Sequence, residues 1–430
     1  MAGKLRDFLG AAREVTRGGL TYYIWLAFLG VFMVAGAWAY WYQLRHGLGV
    51  TNMTNNVSWA FYIANFTFLV GVAAAAVLLI IPAYIYDFKP IKEIAFLGEM
   101  MAITAIIMCI LFVTVDLGHP ERTWHLLPFF GSPNFPVSLL AWDIVVLSAY
   151  LLINTTIFLY IIYRVYNGKK YEKILPLILL SIPAAVGIHT VTAFLYNGLV
   201  ARPFWNASIL APRFLASAFC SGPALMIVVL QIVRNRFRID IENKAIHKIA
   251  ELIAYTLAFN LFLFGAEFFK EFYSGSKHLA PLEYMYFGLH HKHAIVPFMW
   301  TAFAFNMIAL GLFLVPRTRN NFVTLNLGCG LIFTAVYIEK GMGLVVPGFI
   351  PGMLGQMREY HPGLVEYVVG AGIWATGAFV YTILLKFSIP VYVNRKVFAI
   401  IGDTPEPGAP GAPGTPEAPA SPAPAPGGTP

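Results

Sequence analysis

Long apolar runs separated by short polar stretches dominate this sequence. The runs do not alternate in polarity as half-buried strands do, and most exceed ~18 residues, the length at which a helix rising 1.5 Å per residue crosses ~30 Å of hydrocarbon. They predict ten helical spans near residues 20–44, 58–86, 95–118, 137–163, 174–199, 208–233, 246–273, 293–316, 320–341 and 365–389. In lipid the backbone must be satisfied within a helix or a closed barrel, and run length without alternation selects helices. The span 320–341 is the weakest of the ten, because Glu339 and Lys340 crowd its end. Pro183 and Pro223 fall inside spans, where neighbouring helices can re-satisfy the freed carbonyl. The expected fold class is an all-α integral membrane protein with about ten transmembrane helices.

Composition sharpens the pattern. Of 430 residues, 58% are hydrophobic and 12% charged, against roughly 25% charged in average soluble chains. The net charge of +8 sits in short loops rather than in a basic face, so it reads as orientation and not as nucleic-acid binding. The N-terminus, the even-numbered loops and the C-terminal flank hold 19 Lys and Arg against 6 in the odd loops, with Arg213, Lys270, Lys340 and Lys386 assigned to spans. The expectation is a multi-pass protein of the inner (cytoplasmic) membrane, with both termini and the even loops cytoplasmic. The first apolar run, behind a basic start, is of span length and reads as a retained helix. Cys109, Cys220 and Cys329 fall in spans with no CxxC pair, which supports neither a disulfide framework nor an iron–sulfur site.

The expected organisation is a cytoplasmic segment 1–19, a first helix and outer loop 20–57, four-helix bundles 58–200 and 201–342, an outer loop and last helix 343–401, and a Pro-rich tail 402–430. The tail holds ten of the 28 prolines and reads as disordered, a passive extension more readily than a docking motif. A faint repeat supports two units: span 3 carries Glu99 and Asp116 near its two ends, and span 7 carries Glu251 and Glu267 at matching depths. Chance can also produce that pattern.

Ionisable side chains inside a bilayer cost at least ~2.5–3.5 kcal/mol at its centre, so they are functional candidates. Asn65, Asp116, Asp143 beside Trp142, Tyr150, His189 and Arg213 come from five consecutive spans and fall at one depth, within ~15 Å of the outer surface at 1.5 Å per residue. Carboxylates and a histidine exchange protons; an amide and a phenol hold carbonyl oxygens. Each also has a bland reading: Arg213 snorkels or neutralises Asp143, His189 is a structural histidine, and Asn65 is a helix–helix hydrogen bond. His189 is the one deep histidine, whereas a membrane haem needs paired ligands. His290, His291 and His293 cluster in an outer loop without a supporting carboxylate or cysteine pattern. No metal, haem or iron–sulfur cluster is expected in this chain.

Four stretches carry a family resemblance: VTNMTNNVSWAFYIANFTFLVGVAAAAVLLIIPAYIY (50–86), DLGHPERTWHLLPFFGSPNFPVSLLAWD (116–143), GIHTVTAFLYNGLVARPFWNASILAPRFLASAFCSGPALM (187–226) and IEKGMGLVVPGFIPGMLG (338–355). They resemble the NrfD/polysulfide-reductase membrane-subunit family, in its ten-helix branch, over nearly all the chain but the tail. The resemblance implies a haem-free protein of two four-helix bundles with one helix at each end, exchanging electrons between a membrane quinone and a periplasmic iron–sulfur subunit. It also implies a quinone pocket near the outer face of the first bundle. The family's Asp-x-Gly element matches Asp116 and Gly118, and its Trp-Asp element matches Trp142 and Asp143. Many members have Arg where this chain has His119, which leaves open whether that position supplies fixed charge or a titratable group.

The resulting expectation is a subunit of a menaquinone-dependent oxidoreductase complex in dissimilatory sulfur metabolism. Asp143, Asp116 and His189 would exchange protons. Asn65 and Tyr150 would position the ring carbonyls, with His119 and Trp142 alongside and Arg213 balancing charge. Glu99, Glu251 and Glu267 would extend a proton path, unless they are merely solvated helix-end carboxylates. The expected partners are a periplasmic ferredoxin-like iron–sulfur subunit, a multihaem cytochrome c, a haem b membrane subunit and a cytoplasmic iron–sulfur subunit. The competing class is a secondary transporter using the same polar cluster as a substrate site.

Overall fold

The computed structural model describes residues 15–126, 130–166, 172–237, 239–275, 279–350, 352 and 355–393. The tail 402–430 and most of the N-terminal segment lie outside these residues. The described residues contain ten helices long and apolar enough to cross a membrane. They are α1 (Leu20–His46), α2 (Phe61–Ile85), α3 (Ala95–Asp116), α4 (Leu139–Arg164), α5 (Leu175–Asn197), α6 (Leu210–Phe237), α7 (Asn243–Ser274), α8 (Val296–Leu314), α9 (Phe322–Phe349) and α10 (Leu364–Ser388). No β-strand occurs among the described residues.

Helices α2 to α5 pack on one another, as do α6 to α9, and α2 meets α6 at the seam. Lipid offers no hydrophobic drive for helices to associate, so close packing of small residues takes that role. A Cβ added at Gly222 of α6 would lie 2.4 Å from the Ala75 Cβ of α2, and Gly71 faces Ala218. The flanking helices α1 and α10 pair with each other, and α10 leans on α3. There a Cβ at Gly36 would lie 2.7 Å from the Gly372 Cα. The apolar windows of α2, α3 and α6 are 78%, 78% and 72% buried within the chain, against 11% for α1. Asn65, Glu99, Asp116 and Arg213 sit on these central helices and Asp143 and His189 on the neighbouring α4 and α5, while α1 presents Phe28, Val31, Val34 and Trp38 outward, as a lipid-facing helix would.

Two helices are discontinuous, and both breaks bear on the site. α2 runs regularly over Phe61–Ala73, breaks at Ala74, resumes over Ala75–Ile80 and widens into a π-turn over Ile81–Ile85. The Tyr150 hydroxyl of α4 donates to the Ala73 carbonyl at 3.2 Å. Pro82 lies within the π-turn, where its missing N–H already interrupts the ladder. α9 runs as Phe322–Lys340, turns at Gly341 and continues through a short helix, Met342–Val345. A Cβ at position 341 would lie 2.4 Å from the Tyr337 carbonyl oxygen, so this turn is open only to glycine. Thus Glu339 and Lys340, which crowd the end of the weakest predicted span, sit just before a bend that keeps them within the bundle.

Candidate functional site

The first-bundle site starts at the beginning of α4. The Ser138 hydroxyl accepts from the Ala141 N–H at 3.3 Å, an N-cap that starts the helix. Trp142 donates its indole N–H to the Pro136 carbonyl at 2.8 Å and packs on Phe135, with ring centroids 4.4 Å apart. Trp142 therefore anchors the preceding loop and sets where Asp143 enters the bundle. Asp143, 2% exposed, accepts the Thr192 hydroxyl of α5 at 2.8 Å.

On α5, His189, Thr192 and Tyr196 lie at i, i+3 and i+7 and so share one face. The Nδ1 of His189 meets the Ala185 carbonyl at 3.0 Å. A carbonyl can only accept, so the proton sits on Nδ1, and in the neutral ring Nε2 then carries a lone pair. That Nε2 is buried with no protein partner. Tyr196 meets Thr67 of α2 at 2.5 Å. The Thr67 hydroxyl already donates to the Ile63 carbonyl at 2.8 Å, so Tyr196 is the donor of that pair. The result is a buried line across three helices: a carboxylate held by a threonine, a bare imidazole nitrogen one turn away, and a tyrosine–threonine pair one turn to the other side. Sequence depth singles out none of Thr192, Tyr196 and Thr67, although the helical spacing from His189 along α5 is a usable signal for the first two.

A cleft of about 440 Å³ opens beside this line between the α1–α2, α5–α6 and α9–α10 connections. Trp59 and Trp205 line it, and their rings lie 5.7 and 5.2 Å from that of Tyr196. Arg202 covers Phe349 with its guanidinium 4.9 Å from the ring centroid. The cleft is within the size range of small-molecule pockets, and its walls suit a flat ring.

The remaining candidates are dispersed rather than gathered here. Asn65 accepts from the Tyr337 hydroxyl at 3.1 Å and the Trp374 indole at 2.9 Å while donating to the Phe61 carbonyl at 2.8 Å. It ties α2 to α9 and α10 and keeps one N–H uncommitted. The single hydroxyl proton of Tyr150 goes to the α2 break. Arg213 does not meet Asp143; it is ion-paired with Glu267 of α7, inside the second bundle. His119 is 68% exposed and pairs with Glu121 at 2.8 Å in the α3–α4 connection.

Asp116 ends α3 with its Oδ1 buried and unpartnered. It lies within electrostatic reach of Glu366 of α10. Glu366, which sequence depth does not single out, is fully buried and accepts from the Asn52 and Gly363 N–H groups at 3.0 and 2.8 Å. Tyr62 and Gln43 complete that junction, with Tyr62 donating to Gln43 at 2.7 Å and Gln43 to the Val115 carbonyl at 2.7 Å. Glu99 is buried in the other half of α3 with Oε2 unpartnered. Glu251 lies at the surface, bonded to Lys248 at 3.1 Å and Tyr255 at 2.9 Å, as a solvated helix-end carboxylate would be. Among the described residues, no group of three or more His, Cys, Asp or Glu is placed to hold a metal ion.

Known proteins match the chain over most of its length. The chain is 26% identical over 409 residues to a putative dimethyl sulfoxide reductase membrane subunit of Halobacterium salinarum, covering 84% of this chain and 90% of that one. It is 24% identical over 428 residues to a selenate reductase subunit of Mesobacillus selenatarsenatis, covering 87% and 95%. It is 21% identical over 405 residues to the Hdr-like menaquinol oxidoreductase integral membrane subunit of Archaeoglobus fulgidus, covering 90% and 96%. The family model described as polysulphide reductase, NrfD, matches residues 49–350, which include both bundles and the whole Asp143 site. A multi-pass membrane chain matched over that length belongs to the polysulphide reductase NrfD family.

Proposed function

We propose that this chain is the quinone-reactive membrane subunit of a multi-subunit respiratory complex. In this reading it exchanges electrons between menaquinol or menaquinone and a periplasmic iron–sulfur subunit. The observation that carries it is the buried Asp143–Thr192 hydrogen bond beside the partnerless Nε2 of His189. Those groups fit a quinol: a carboxylate and an imidazole lone pair both accept hydrogen bonds from ring hydroxyls. When bound, the quinone supplies the two-electron, two-proton chemistry. The chain supplies position and protons.

Asp143 takes or returns a proton at its carboxylate, and Thr192 holds that carboxylate in one rotamer. His189 accepts at Nε2, its tautomer set by the Ala185 carbonyl. Tyr196 and Thr67 close the site toward the aromatic cleft. Asp116 and Glu366 mark the route by which a proton leaves toward the same end of the bundle. Within the family, the quoted stretches look like DsrP, the quinone-interacting subunit of DsrMKJOP complexes. That likeness underlies a role in dissimilatory sulfur metabolism, with a multihaem cytochrome c, a haem b membrane subunit and a cytoplasmic iron–sulfur subunit as further partners.

Two measurements test this reading. Organic extraction of the purified complex, followed by ultraviolet difference spectroscopy on borohydride reduction, is expected to recover menaquinone at near-stoichiometric yield. Recovery at the level of carry-over lipid would defeat the quinone assignment. The second concerns orientation, which the 19-to-6 charge bias motivates. A reporter active only in the cytoplasm is expected to work after residue 400 or within 165–173 and to be silent within 275–292. Activity at 275–292 would invert the protein and place the Asp143 site on the cytoplasmic side.

A further inference from the structure

The second bundle holds a small, partly open cavity of about 40 Å³ that the quinone reading does not use. Arg213, Glu267, Glu339 and Lys340 line it, together with Asn260 and Tyr286. Such a volume admits about three or four waters at roughly 10–15 Å³ each and no organic ligand. Two cationic and two anionic side chains give it no formal net charge, so neither a bare cation nor a bare anion is favoured there. The Tyr286 hydroxyl, on a residue 3% exposed, is buried without a partner.

Three of the four charges are already engaged or held. Arg213 and Glu267 form an ion pair across α6 and α7, and the Arg213 guanidinium lies 5.5 Å from the Phe264 ring centroid. Lys340 donates to the Phe214 carbonyl and sits 4.3 Å from the centroid of that residue's ring. Glu339 is the carboxylate at the cavity not held by a salt bridge, and Asn306 of α8 lies beside it. The Gly341 bend fixes Glu339 and Lys340 at this wall.

We propose that this cavity is a proton-holding chamber, in which the Glu339 carboxylate takes up one proton that bulk solvent delivers through the cavity water, becoming the carboxylic acid, and releases it by the same route. The Arg213–Glu267 pair stays ionised and supplies fixed charge, and the Tyr286 hydroxyl offers a donor to the water. The charged and titratable groups facing Glu339 are Arg213 and Cys220 of α6, Glu267 of α7, Tyr286 and the neighbouring Lys340. His189 of the first bundle lies within electrostatic reach of Lys340.

The test is pH-difference infrared spectroscopy on the assembled complex without quinol turnover, a readout that does not depend on the quinone assignment. The wild-type protein is expected to show a carboxylic-acid C=O band that grows as pH falls and shifts in D₂O. Glu339→Gln is expected to lose that band, and Glu339→Asp to retain it at a shifted frequency. A band that survives unchanged in Glu339→Gln overturns the proposal, as does a Glu339 band that does not respond to D₂O. Should Glu339→Gln fail to assemble, Glu339→Asp decides alone: an unshifted band sinks the chamber.

Discussion

Asp143→Asn is expected to leave the protein inserted and assembled and to abolish most quinol-linked electron transfer. Asparagine keeps the shape and an acceptor oxygen for the Thr192 hydroxyl, so the α4–α5 contact at 2.8 Å survives. What it removes is the titratable proton. Proton transfer by a positioned group contributes typically ~10²–10⁴-fold, and a loss in that range is expected in steady-state turnover with a menaquinol analogue. Quinone affinity should stay within roughly tenfold, about 1.4 kcal/mol. Thr192→Val separates orientation from proton exchange: it deletes one hydrogen bond to a charged group, ~1.5–3 kcal/mol, and so should cost less turnover than Asp143→Asn. An Asp143→Asn complex with more than about a tenth of wild-type turnover would remove Asp143 from proton exchange.

The second large effect is on stability. Arg213→Gln is expected to lower the thermal midpoint of the purified complex sharply, because it strands Glu267 in a largely buried site. The side chains of the pair are only 20% and 7% exposed. Breaking a buried pair costs ~3–5 kcal/mol, whereas replacing both charges is often close to neutral. Arg213→Gln with Glu267→Gln should therefore recover most of the loss in a thermal melt. Sequence depth alone allows Asp143 as the partner of Arg213, and that pairing makes the opposite forecast. Rescue of Arg213→Gln by Asp143→Asn, with none by Glu267→Gln, would contradict the geometry.

The spans are legible because lipid imposes a length. Even 320–341, with two charges at its end, is helical over Phe322–Lys340. The break in α2 is not legible. The run of alanines around Ala74 has high helix propensity, and the hydroxyl that takes the Ala73 carbonyl comes from Tyr150, on another helix. The short helix Leu279–Tyr286, which brings Tyr286 over the second-bundle cavity, lies inside what reads as a loop.

The candidate site is legible in one coordinate only. Counting residues from a span end gives depth, and by depth Asn65, Asp116, Asp143, Tyr150, His189 and Arg213 belong together. Which helices they face depends on rotation about each axis and on how ten helices are arranged in the membrane plane. In the structure Asp143 finds Thr192, Asn65 finds Tyr337 and Trp374, and Arg213 finds Glu267.

The sequence by itself determined that this chain crosses a membrane about ten times and which polar residues lie within the spans, because apolar run length and the cost of buried charge are local properties. Only the tertiary structure decided which of those residues meet. A hydrogen bond or ion pair needs two groups within about 3 Å, and that distance is set by small-residue contacts such as Gly222 on Ala75 and by the turn at Gly341.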